Sequence, residues 1–211
     1  MISLFLNTSS PYLHVALLKD NKLLKEKNEY LAKDLSSMAL PTIKEVIEEC
    51  DFKPNDIDNI VCVEGPGSFT GLRVGVTISK IYAWSLNKKL YSVSSLFVMA
   101  TSIKDSDYII PLIDARRNFC YAGIYDKNYK PILKDCYIGI NKLKELANDL
   151  EGKVSFVSLD SFDDINVIEF KPNIENTFKH IILKEEDPFT FVPNYLKRTE
   201  AEENLNKWYK R

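Results

Sequence analysis

Short apolar runs alternate along this chain with segments whose apolar residues recur at helical spacing, and the order of the two patterns repeats. Ile2-Ser3-Leu4-Phe5-Leu6, Leu13 to Leu18 and Leu23 to Tyr30 predict three strands, turned at Ser9-Ser10-Pro11 and at Asp20-Asn21, an antiparallel meander. Leu35, Met38, Ala39, Ile43, Val46, Ile47 and Cys50 then fall on one helical face behind a cap at Asp34, with Pro41 expected to kink that helix or delay its start. Lys44, Glu45, Glu48 and Glu49 occupy its solvated side. The apolar stretch 57–64 predicts a fourth strand, followed by a glycine-rich turn, a helix running to about Leu86, a strand at Leu90 to Val93 and a helical Ser95 to Ser102.

From Tyr108 the same order starts again. Ile109 to Asp114, Phe119 to Tyr125 and Pro131 to Ile138 predict three consecutive strands, and Asn141 to Leu150 a helix. The remainder is shortened: strands at Val154 to Leu159 and Ile165 to Phe170, a helix at Ile174 to Leu183, and a polar tail from Thr199. Element order alone therefore predicts a duplicated α/β chain of two lobes, 1–104 and 105–211, divided at Lys104-Asp105-Ser106-Asp107.

Composition narrows the chemistry. With 28 Lys+Arg against 30 Asp+Glu, the net charge of -2 argues against autonomous nucleic-acid binding, which needs a basic surface. Cys50, Cys62, Cys120 and Cys136 form no CxxC pair and are expected to be reduced thiols. No targeting or membrane segment is visible, so a cytoplasmic location without membrane attachment is expected. His14 and His180, the only histidines, form no HxxxH or HExxH, and no histidine metal site is expected. His14 falls within a strand and is expected to be a satisfied sheet residue.

Four of the seven glycines lie in the run from Gly65 to Gly75, Gly-Pro-Gly-Ser-Phe-Thr-Gly-Leu-Arg-Val-Gly. It predicts a tight strand-to-helix turn with Ser68 or Thr70 capping the helix. Free N–H groups at a helix start attract anions, yet the Gly-Lys-Ser/Thr of a P-loop is missing; a phosphate site and a structural turn both remain open. Gly71, Gly75, Ser79 and Ala83 recur every four residues along the helix, a small-residue face that either packs in the chain's own core or admits a partner's helix. Leu35, Met38 and Val74 would complete such an interface. Arg73 is a candidate for either a salt bridge or a phosphate contact.

A duplicated strand-helix lobe resembles the actin, Hsp70 and sugar-kinase superfamily, whose members carry an Asp, a glycine and a hydroxyl residue after the first strand of each lobe. The corresponding residues here are Asn7-Thr8-Ser9 and Asp114-Ala115-Arg116. An amide at position 7 can neither act as a base nor hold Mg²⁺ as a carboxylate does. Asp114 is the remaining acidic candidate, either for a metal or for an ion pair with Arg116 or Arg117; Thr8, Ser68 and Thr70 are the other candidate phosphate or structural contacts. A peptidase-like arrangement would need His14 or His180 as the base for Ser68.

Leu6-Asn7-Thr8-Ser9, the run Gly65 to Gly75, Val93-Ser94-Ser95-Leu96, Ile113-Asp114-Ala115-Arg116 and Pro193-Asn194-Tyr195-Leu196, in that order and spacing, resemble the TsaB (YeaZ) family of the bacterial tRNA threonylcarbamoyladenosine machinery. The resemblance implies a non-catalytic scaffold that pairs with and activates the catalytic paralogue TsaD, with ATP and metal on TsaD and none intrinsic to this chain. It also implies contact with tRNA only through the complex, association with the ATPase TsaE, and a homodimer in isolation. Two departures are visible: Asn7 where the family has Asp, and Lys33-Asp34-Leu35 where it often has a His. The alternative is an active ATP-dependent phosphotransferase of the same superfamily, relying on Asp114.

Overall fold

The computed structural model describes residues 1–197; the polar tail expected from Thr199 lies outside the described residues. The opening meander forms as expected: β1 (Ile2–Asn7), β2 (Tyr12–Lys19) and β3 (Lys22–Tyr30) pair antiparallel. Helix α1 (Leu35–Glu48) leads to β4 (Asn59–Gly65), which lies parallel beside β1; α2 (Phe69–Ser85) then leads to β5 (Lys89–Ser94), parallel to β4. All six residues of β1 are buried, because helices cover both faces of the sheet. Leu4 and Leu6 meet Ala39, Ile43 and Ile47 of α1 on one side, while Phe5 faces Val61, Val63 and Val93 on the other.

Helix α3 (Ser95–Ala100) carries the chain to the second sheet. There β6 (Tyr108–Asp114), β7 (Phe119–Asp126) and β8 (Pro131–Gly139) form a second antiparallel meander, α4 (Ile140–Asn148) covers it, and β9 (Val154–Ser158) and β10 (Val167–Glu169) extend it in parallel. The five-stranded order is β10-β9-β6-β7-β8. Leu96, Met99 and Ala100 of α3 pack with Ile109, Tyr125 and Val157, joining the halves through apolar contact.

Two local expectations change. Pro41 lies inside a continuous α1, and Asp34 precedes it without a side-chain cap. Pro41 and Ser37, whose carbonyl loses its helical donor to the proline, are both exposed, so water can replace the missing bond. The helix expected over 174–183 stops earlier: α5 spans Ile174–His180, Ile181 is extended, and β11 (Lys184–Glu186) pairs antiparallel with β5. Ile174 and Phe178 of α5 sit in the cluster with Phe5 and Val93, so this late segment completes the first sheet, whose order is β11-β5-β4-β1-β2-β3. No helix of the described residues is long and apolar enough to cross a membrane.

Candidate functional site

The glycine-rich turn closes directly onto the loop after β1. The Ser68 N–H donates to the Ser9 carbonyl at 2.7 Å, and a Cβ on Gly67 would stand 2.2 Å from that oxygen. Asn7 reinforces the closure, its Oδ1 accepting from the Ser9 N–H at 2.9 Å and from the Ser9 hydroxyl at 2.7 Å. The Ser95 hydroxyl donates to the Pro66 carbonyl at 2.5 Å. Of the two expected caps, Ser68 is the one used, its Oγ accepting from the Gly71 N–H at 3.3 Å; Thr70 is exposed. The first N–H a phosphate would seek is thus occupied by protein.

The small-residue face of α2 points inward, which corrects the expectation of a partner-facing stripe. Gly71, Gly75, Ser79 and Ala83 are all buried within the chain. A Cβ on Gly71 would lie 2.1 Å from the Thr8 carbonyl oxygen, and one on Gly75 2.2 Å from Thr8 Oγ1. Thr8 is itself buried and donates to the Gly71 carbonyl at 2.8 Å, so the glycines exist to let α2 lie against the loop after β1. Leu35 is likewise buried in the α1 core; Val74 is half-buried against it, and only Met38 of the seven candidates is exposed.

The outward face of α2 carries different residues. Ile81 is 56% exposed and Trp84 63% exposed, on the side of the helical repeat opposite the small residues that the sequence pattern marks. Arg73 forms no ion pair among the described residues: its guanidinium stacks 3.9 Å over the Phe69 ring and its Nε donates to the Tyr195 hydroxyl at 3.2 Å. Lys80 donates to the carbonyls of Phe191 at 2.9 Å and Phe189 at 3.4 Å, and Phe191 is buried beneath. Arg73 and Lys80 therefore clamp the segment 187–196 along one flank of α2, while Val74, Ile78 and Tyr82 meet the α1 core on the other.

Between the halves lies a cavity of about 230 Å³ bounded by Asn7, Ser9, Ser10, Gly67, Ser68 and Ser95 on the first lobe and by Ile113, Asp114, Tyr121, Leu159, Asp160 and Phe170 on the second. Asp114 holds backbone here: its Oδ1 accepts from the Arg116 N–H at 2.8 Å, and its own N–H donates to Asp160 at 2.8 Å. Asp160, Tyr121 and Phe170 were not singled out by sequence reasoning, since only the fold brings them together. Among the described residues no group of three or more His, Cys, Asp or Glu side chains is placed to hold a metal ion.

His14 is buried in β2, its Nε2 2.8 Å from Glu26 and its ring edge-on to Phe5, while His180 packs against Tyr129; the Ser68 hydroxyl instead caps α2. The Nδ1 of His14 finds no partner, so the expected satisfied sheet histidine is satisfied on one nitrogen only. Two half-buried acids lie at the junction of the lobes. Asp135 of β8 accepts from the Tyr125 hydroxyl at 2.5 Å and from the Ser94 hydroxyl; burial pushes its carboxyl up, and the two hydroxyls offset part of that. Burial likewise raises Glu64, with Lys184 opposing. Cys62 and Cys120 are pushed up to about 12 by burial, so both stay protonated thiols.

Comparison with known proteins follows the same lines. Residues 28–195 match the family model described as TsaD, tRNA N6-adenosine threonylcarbamoyltransferase. The tRNA threonylcarbamoyladenosine biosynthesis protein TsaB of Bacillus subtilis (strain 168) is 33% identical over 96% of this chain and 96% of its own length. Its counterpart in Buchnera aphidicola subsp. Acyrthosiphon pisum is 27% identical over 99% of this chain and 97% of its own length. Two solved structures from Pseudomonas aeruginosa share the fold at 19% identity. An uncharacterized protein with similarity to peptidase YEAZ superposes with a TM-score of 0.75, covering 93% of this chain and 99% of its own; YeaZ superposes at 0.69, covering 85% and 90%.

Proposed function

Because the chain belongs to the TsaB (YeaZ) family, with the two-lobed α/β fold of the actin, Hsp70 and sugar-kinase type, we propose that it serves as the non-catalytic scaffold of tRNA threonylcarbamoyladenosine biosynthesis, pairing with and activating a TsaD homologue. It works in the cytoplasm and meets tRNA through the complex. ATP and metal belong to the TsaD partner, a TsaE-type ATPase joins the assembly, and the isolated chain forms a homodimer. The lobes are 1–104 and 105–211, with α5 and β11 crossing back to the first sheet.

The observation that carries the scaffold reading is the outward face of α2. Its inner face is filled by Thr8 and its flanks by α1 and the clamped segment 187–196, yet Ile81 and Trp84 stay open to solvent, as does Met38 of α1. Large apolar side chains at the centre of such a face are the usual anchors of a protein interface. The docking set is therefore Met38, Val74, Ile81 and Trp84, replacing the buried stripe.

Co-purification with the TsaD homologue and a tRNA modification assay test this directly. Trp84→Glu is expected to abolish co-purification and modification while leaving the thermal midpoint of the isolated chain within a few degrees of the parent. Retention of the complex by Trp84→Glu, or modification at full rate without this chain, would overturn the reading. The phosphotransferase alternative has no such support: the turn that would cradle phosphate is closed by Ser9.

A further inference from the structure

The cleft between the lobes is a cavity without a phosphate site. Ser68 N–H is taken by the Ser9 carbonyl, Asn7 Oδ1 by Ser9, and Ser95 Oγ by Pro66, so the first-lobe wall has turned its donors and acceptors on itself. No lysine or arginine is among the described residues lining the cavity, while two carboxylates, Asp114 and Asp160, stand on its second-lobe wall. A phosphate brought here would meet like charge from Asp114 and Asp160. The remaining surface is apolar and aromatic, supplied by Met99, Ile113, Tyr121 and Phe170.

From this we infer that the cleft binds a small organic cation, a primary ammonium carried on an apolar body. The apolar body fills the space beside Met99 and Ile113. The ammonium donates to the carboxylate oxygens of Asp114 and Asp160 and faces the rings of Tyr121 and Phe170, whose π-faces attract cations. Each carboxylate already accepts one backbone N–H, at 2.8 Å in both cases, which fixes its orientation before the ligand arrives. A pocket of mostly apolar lining with a few convergent polar groups is the general form of a small-molecule site. The inference concerns the cleft and is independent of the α2 docking face.

The test is an amide NMR titration of the full chain with benzylammonium, benzyl alcohol and ATP, each at two ionic strengths. Benzylammonium is expected to shift the amides of Ser10, Tyr121 and Leu159 and to bind roughly tenfold more tightly than benzyl alcohol, as charge-assisted hydrogen bonds imply. That advantage is expected to shrink at high salt and to vanish in Asp114→Asn/Asp160→Asn, which keeps an amide oxygen for each backbone N–H. ATP is expected to leave these amides unmoved. Absence of benzylammonium binding, equal binding of benzyl alcohol, an unchanged affinity in the double variant, or ATP binding at these amides would each overturn the proposal. The salt dependence of the parent chain decides the matter if the double variant fails to fold.

Discussion

A methyl group at position 75 would stand 2.2 Å from the Thr8 hydroxyl oxygen, far inside van der Waals contact. Thr8 cannot simply turn away, because its hydroxyl donates to the Gly71 carbonyl in a buried setting. Gly75→Ala therefore forces α2 off the loop after β1 or breaks that hydrogen bond, and overpacking of this kind costs about 2 kcal/mol. The expected result in urea unfolding of the isolated chain is a lower midpoint with an unchanged slope. Equal stability with loss only of the TsaD complex would restore the stripe to the interface. The spacing of Gly71, Gly75, Ser79 and Ala83 was legible in the sequence; what that face meets was not. Periodicity identifies a close approach and is silent about whether the approaching backbone is the chain's own. Asn7 was legible as an amide that can only accept or donate hydrogen bonds, and its Oδ1 accepts from the Ser9 N–H and hydroxyl.

Strand β8 is tied to the N-cap of α3 by one carboxyl, for Ser94 both caps α3 through the N–H groups of Leu96 and Phe97 and donates to Asp135. Burial raises Asp135, so its folded value lies above that of an unfolded aspartate, about 4. A carboxyl with a raised folded value favours the fold when protonated. Its contribution is complete below the unfolded value and is lost as pH rises through the folded one. Glu64 is raised in the same direction and adds to the same slope. Stability measured by denaturant at a series of pH values is expected to fall less steeply over this window in Asp135→Asn than in the parent. Parallel curves would show that this carboxyl is not the source. At this scale most elements were visible from hydrophobic spacing, including both meanders and α1 through α4. Strand β11 was not, because Lys184-Glu185-Glu186 has no apolar alternation; it is held by backbone pairing to β5 and by the Ser92 hydroxyl on Glu186.

The repeat of element order predicts two lobes, and the two sheets follow that order, yet the first is finished by residues from the far end of the chain. Ile174 and Phe178 of α5 cover Phe5, Val61, Val63 and Val93, and Thr177 binds Thr101 at 2.7 Å while Asn176 donates to the Thr101 carbonyl at 2.7 Å. A fragment ending at residue 104 would keep only Phe97 and Val98 of α3 over that face of the first sheet and would lack β11 along its edge. Burying a phenylalanine or isoleucine side chain contributes about 1.5–3 kcal/mol, so the loss of both removes a large part of a typical domain's net stability. The fragment 1–104 is accordingly expected to lack the dispersed amide spectrum of a folded protein, whereas the whole chain unfolds in one cooperative transition by both near- and far-ultraviolet circular dichroism. Phe178→Ala in the whole chain removes the same cover less drastically. It is expected to lower the single transition by about 3–5 kcal/mol, without splitting it, because the residue belongs to a core shared by both ends of the chain. Two separated transitions in the parent, or a well-folded 1–104 fragment, would show instead that the first lobe closes its core without α5.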